Sequence, residues 1–118
     1  MTSTYEGGIR PFDTDAAIAR YSLVKFASAD TVTVSGATDA PLGTVLEQAH
    51  SAGQTVAVRL LNRPGTMKCI AAGPFAAGAV VYGVASGQVD DVAAGNVRVG
   101  VALEAAAAAG DIVEILPD

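Results

Sequence analysis

The feature that most constrains this chain is a pattern that it carries twice. GTVLEQAHSAGQTVAVR, residues 43–59, returns without a gap as GVALEAAAAAGDIVEIL, residues 100–116, 57 positions further on. Gly43 falls on Gly100, Leu46 on Leu103, Glu47 on Glu104, Ala49 on Ala106, Ala52 on Ala109, Gly53 on Gly110 and Val56 on Val113. Upstream, Val24 falls on Val81, Val32 on Val89 and Ala37 on Ala94. The two copies span about 19–60 and 76–116. A repeat of this length is one supersecondary unit that cannot bury its apolar face alone. Two copies predict one small barrel or bent sandwich with a pseudo-two-fold axis.

The units read as strands. RYSLVKF (20–26), DTVTVSG (30–36), LGTVLE (42–47) and QTVAVRLL (54–61) are short, rich in β-formers and bounded by Gly, Pro or Asp. NRPG (62–65) is a tight turn. TMKCIAA (66–72) is a strand that stands outside both copies. The second copy gives strands at 79–85, 87–92, 96–104 and 111–116. Five alanines, Ala105–Ala109, favour helix, but so short a run is only a single turn or a wide loop. Gly110 is placed to end it in the left-handed region.

With 118 residues the chain is one domain with a modest core. Its apolar half is mostly Ala and Val, with six aromatics and no Trp. Such a core buries little area per residue, which favours extra burial between subunits. Seven basic against twelve acidic residues give a net charge of −5 without a basic cluster. That argues against direct nucleic-acid binding. The apolar runs are short and interrupted by Gly, so no membrane-spanning helix is expected. The first residues lack the charged and apolar regions of a signal peptide, so the protein is expected to act where it is made, in a cytoplasm.

Residues 1–18 differ from the rest. Tyr5, Ile9 and Phe12 are large apolar groups in a stretch otherwise like a tail, and Pro11 biases Arg10 toward an extended form. We read 1–18 as an N-terminal arm that docks on a partner, ahead of a single β domain, 19–118. Asp13–Arg20 could form one capped helical turn.

No catalytic constellation emerges. His50, the one histidine, aligns with Ala107, so the repeat does not need an imidazole there. No second His or Cys accompanies it to make a zinc site. Cys69 excludes an internal disulfide and reads as a small buried hydrophobe. Glu47 and Glu104 recur, and two acids could do acid–base work if they converged; as strand ends, each instead bonds the adjoining turn. Asp90 and Asp91 are adjacent and so lie on opposite strand faces. AAGPFAAG lacks the Lys-Ser or Lys-Thr of a phosphate loop. The chain is therefore read as no enzyme, with no cofactor and no metal.

Pro41, Gly43, Glu47, Ala49 and Gly53 with the alternating valines that follow, then AAGPFAAGAVVY, then VGVALEAAAAAGDIVEIL, resemble the head decoration or capsid cement proteins of tailed bacteriophages. The resemblance covers most of 19–116. It implies a mainly β fold, a small β-barrel or β-clip-like domain built from two duplicated units, that trimerises on the outside of an icosahedral head. The implied partners are the major capsid protein and further copies of the chain. N-terminal segments commonly make the capsid contact in such proteins; here that role falls to Tyr5, Ile9, Arg10, Pro11 and Phe12. The alternative is a small ligand- or glycan-binding β module, for which Tyr21 and Tyr82 would be the rings available.

Overall fold

The computed structural model describes residues 7–118. The described residues form ten strands and one 3-10 turn, with no α-helix. β1 (Ile9–Thr14), β2 (Leu23–Ser28), β3 (Thr31–Val34), β4 (Gly43–Val45) and β5 (Thr55–Leu60) close into a barrel in the order β1-β3-β2-β4-β5. β6 (Met67–Ile70), β7 (Val80–Val84), β8 (Gln88–Asp90), β9 (Arg98–Ala102) and β10 (Ile112–Pro117) form a sheet in the order β6-β10-β9-β7-β8. Its end strands meet at one parallel bridge, Ala71 with Val89. Thr14 with Val32, 57 positions earlier, is the parallel pair that closes the first barrel.

The mainly β barrel fold expected from sequence is what the structure shows. Its register repeats over most paired positions, departing where β2–β3 has a bulge between Phe26 and Ser28 that β7–β8 lacks. Phe12 opposes Val56 as Cys69 opposes Val113. Leu23 opposes Thr44 as Val80 opposes Val101. Thr44 opposes Arg59 as Val101 opposes Leu116. Each barrel also carries one bridge outside its strands, Ile18 with Ala49 and Phe75 with Ala106. The alternation of β10 explains the arrangement: Val113 and Ile115 point inward and are buried, while Ile112 and Leu116 point out. Gly53 (φ 84°) and Gly110 (φ 93°) take the left-handed conformation that a side chain would strain. Their N–H groups donate to Thr14 O and Ala71 O, at 2.7 and 2.8 Å.

The two cores match as well. Phe12, Ile18, Val24, Val32, Val45, Ala49, Val56 and Val58 fill the first barrel. The residues 57 further on, Cys69, Phe75, Val81, Val89, Ala102, Ala106, Val113 and Ile115, all lie in the second. The large ring changes place, from β1 in one barrel (Phe12) to the loop after β6 in the other (Phe75), with Cys69 and Ile18 as the small counterparts. Volume is kept while its distribution is not.

Three expectations are corrected here. First, residues 9–14 of the expected arm are a barrel strand. β1 pairs with β5 over five positions, Ile9–Asp13, and puts Phe12 in the core. It is the counterpart of β6, so TMKCIAA belongs to the repeat rather than standing outside it. Second, Asp13–Arg20 forms no helical turn, because Asp13 and Thr14 finish β1 and Ile18 is held in its bridge to Ala49. Third, the units are not related by a two-fold. A two-fold contact buries the same patch on both partners. Here Arg59 is 3% exposed, whereas its counterpart Leu116 is 48% exposed.

The contact between the units therefore joins two different faces, in a molecule of 44 × 27 × 24 Å. The first unit contributes the outer row Leu23–Thr44–Arg59, all buried. Leu23 leaves its own barrel and packs in the core of the second. The second unit contributes the ends of β7 and β8. Gly87 N–H donates to Ser35 O (2.9 Å), and Val97 N–H donates to Ala37 O (3.0 Å). A Cβ on Gly87 would meet the carbonyl of Leu23 at 2.7 Å, so glycine permits this close approach. Arg59 fixes the connection. Its guanidinium donates to the carbonyls of Leu60, Leu61, Arg63 and Gly65, at 2.9, 3.4, 2.8 and 3.1 Å.

Candidate functional site

β1 alternates, and the alternation divides the residues that sequence reading grouped together. Ile9, Pro11 and Asp13 lie on its exposed side, while Phe12 and Thr14 are buried. Proline is tolerated at position 11, and Asp13 accepts a 2.7 Å bond from Thr55 Oγ1 on the neighbouring strand. Arg10 is fixed twice: Nη2 lies 2.7 Å from Asp30 Oδ1, and Cζ sits 4.3 Å from the centre of the Phe12 ring. Gly8 (φ 76°) anchors the strand's start, its carbonyl accepting from Leu60 N–H at 2.7 Å. Of the five candidates, Ile9, Arg10 and Pro11 share an accessible strand. Phe12 is a core residue of the first barrel and cannot dock on a partner. Tyr5 lies outside the described residues.

The residues weighed for catalysis are not brought together. His50 is exposed on the loop between β4 and β5, where its backbone N–H donates to Gln54 Oε1 (2.8 Å). Glu47 and Glu104 stand one on each unit. Glu47 Oε1 accepts from Ala57 N–H (3.0 Å) and Glu104 Oε1 from Glu114 N–H (2.8 Å). Each carboxylate thus extends a strand pair by one bond, to the opposite strand rather than to the adjoining turn. Asp90 Oδ1 accepts from the N–H of Asp91. Cys69 is fully buried, and burial pushes its thiol up to about 12, far from a reactive thiolate. Tyr21 and Tyr82, the rings of the ligand-binding alternative, also stand one on each unit, and Arg20 covers Tyr21 at 4.6 Å.

Charge at the surface is paired locally. Lys25 Nζ lies 2.8 Å from Asp39 Oδ2, which also accepts from Gly36 N–H at 2.8 Å. The bond from Lys25, then that from Gly36, holds the Asp39 carboxyl below its ordinary value. Arg98 and Asp118 pair at 2.7 Å. Such exposed pairs contribute about 0.2–1 kcal/mol each and fix local geometry more than stability.

Two functional features escaped the reading of the sequence. One is Arg59 as the clamp on the connection between units. Its signal was present, since the repeat sets Arg59 against Leu116, a charge against an apolar group. The other is the outer surface of the second unit. Val92, Leu103, Ile112 and Leu116 are each 45–50% exposed there. On β10, alternation with Val113 and Ile115 marks Ile112 and Leu116 as outward, yet they are apolar.

Comparison with known proteins fits this geometry. Residues 61–117 match the family described as phage cement protein. The matched segment starts at the connection and runs through the whole second unit. Among solved structures, the N base of head fiber gp8.5 in bacteriophage phi29 shares the fold, with a TM-score of 0.78 at 14% sequence identity. The superposition covers 93% of this chain and 92% of that one. No curated protein matches the chain. The similarity to phage cement proteins thus lies in the second unit.

Proposed function

We propose that this protein is a structural cement protein that binds the outer surface of an icosahedral phage head and stabilises contacts between major capsid subunits. The observation that carries the reading is the family match over 61–117. The barrel fold, shared with a head fiber base, supports it. In this reading the protein acts as a homotrimer, is no enzyme and takes no cofactor. The accessible residues of β1, Ile9, Arg10 and Pro11, contact the capsid without relying on Phe12. The protein is made in the host bacterial cytoplasm and joins the head from outside.

Expanded heads lacking the protein provide the test. Purified protein should co-sediment with them and raise the temperature at which they release DNA. Ile9→Asp combined with Pro11→Asp should weaken co-sedimentation while the β circular dichroism is kept. Heads that neither bind the protein nor gain stability would refute the cement role. Undiminished binding by the double variant would move the contact off β1.

A further inference from the structure

We infer that a second copy of this chain docks head to tail on the outer row Val80–Val101–Leu116 of the second unit, using the face that carries Phe26 on its first unit. The inference deepens the self-association part of the proposed function and does not depend on capsid binding.

The argument starts from the repeat. The row Leu23–Thr44–Arg59 of the first unit lies beneath the second unit and is buried. Its counterpart, shifted by 57, is Val80–Val101–Leu116, joined across β7, β9 and β10 by the same register. Ser35, Gly36 and Ala37, which complete the covered face, correspond to Val92, Ala93 and Ala94. In the second unit nothing among the described residues covers this surface. Val92 is 49% and Leu116 48% exposed, and Val80 and Val101 are half-buried. The chemistry has also changed. Where the covered face holds Ser35, Thr44 and Arg59, the open one holds Val92, Val101 and Leu116. An uncharged apolar row at positions that the fold already uses for packing is a surface made to be covered.

The occupant follows from what covers the first row. There it is the β7 and β8 end of a unit of the same fold, whose contact residues include Gly83 and Gly87. The matching end of the first unit carries Phe26 and Asp30, the latter paired with Arg10; no second unit covers it in the described chain, and Phe26 is 59% exposed. Within the chain, Leu23 reaches 3.9 Å from where a side chain on Gly83 would begin. Between chains, the smaller Val80 would meet the larger Phe26, so the sizes are exchanged across the contact. Asp30 in place of Gly87 keeps the backbones further apart. The contact between copies is thus looser than the one within the chain, and it dissociates on dilution. Because the two faces differ, the assembly is a ring if the rotation closes and a filament if it does not.

The test uses the whole chain without capsids. Leu116→Asp spoils one face and Phe26→Asp the other; both side chains are about half exposed, and circular dichroism checks that each variant folds. Sedimentation velocity over a wide concentration range should show the unaltered chain associating. Each variant alone should associate at least about thirtyfold more weakly. An equimolar mixture should form a one-to-one heterodimer, because the variants keep one good face each and those faces are complementary. A chain that stays monomeric, or either variant assembling like the unaltered protein, would overturn the inference. So would two disrupted variants that fail to rescue each other, since that pattern belongs to a contact of like faces. Loss of head binding with self-association intact would count against the cement role alone.

Discussion

Thr44 and Val101 occupy the same place in the two barrels, and only one of them needs a hydrogen bond. Thr44 Oγ1 is buried without a partner among the described residues. An unsatisfied buried hydroxyl costs about 1–3 kcal/mol. Thr44→Val, which keeps the shape and copies the second unit, should therefore stabilise the protein by roughly 1 kcal/mol in urea unfolding. Cys69 gives a pH signature. Its thiol titrates near the ordinary 9.0 in the unfolded chain and at about 12 in the folded one. The folded state holds the proton longer, so the contribution is complete below pH 9 and is lost as pH rises through 12. The unaltered protein should lose stability over this window, and Cys69→Ala, weaker at neutral pH through its cavity, should lack that slope. Burial of Cys69 was legible from its strand neighbours. The clamp made by Arg59 was not, because the carbonyls it joins come from a turn whose path no side-chain pattern records.

At the scale of elements, most strands could be read from alternation and their glycine or proline boundaries, and all four strands of each expected copy are present. β1 was missed for a physical reason. Gly7, Gly8 and Pro11 are breakers by propensity, but an edge-tolerant proline and a left-handed Gly8 fit the start of a strand that β5 holds in register. The burial of Phe12 decides the outcome of truncation. Removing residues through Phe12 takes away most of β1 and a core ring, so it should unfold the first barrel rather than leave it intact. Phe12→Ala alone should cost roughly 3–5 kcal/mol. The paired strands carry a second expectation. A Cβ on Gly43 would collide with the carbonyl of Arg59, and one on Gly100 with the carbonyl of Leu116. Gly43→Ala and Gly100→Ala should each lower stability by roughly 1–3 kcal/mol, in chemical denaturation, through the same local displacement.

For the whole molecule, the decisive residue is Leu23, which belongs to one barrel by sequence and to the other's core by packing. Its burial across the contact should couple the unfolding of the two units. Leu23→Ala should cost about 2–5 kcal/mol. Amide hydrogen exchange should show the loss at Val81 and Val89 of the second unit as well as beside the substitution. Protection lost only around β2 would mean that the barrels are independent. The repeat predicted two equal units, but the single barrel with a pseudo-two-fold axis expected from it is not how they meet. Equivalent residues carry equivalent patterns, so the pattern cannot reveal which copy's outer row is covered. That information lies in the departures, Arg59 against Leu116 and Phe26 against Gly83.

The exchange of the large ring between barrels has a consequence for how the chain avoids misfolding. Strands with the same register can pair with the wrong unit as the chain emerges, β6 completing the first barrel or β1 the second. A first barrel closed by β6 would contain Cys69 beside Ile18 and no ring, leaving a void. A second barrel closed by β1 would contain Phe12 and Phe75 together and would be overfilled. Both mispaired forms lose packing energy that the correct pair keeps. The unequal placement of one aromatic thus favours each of the two equivalent strands in its own barrel over the exchanged pairing.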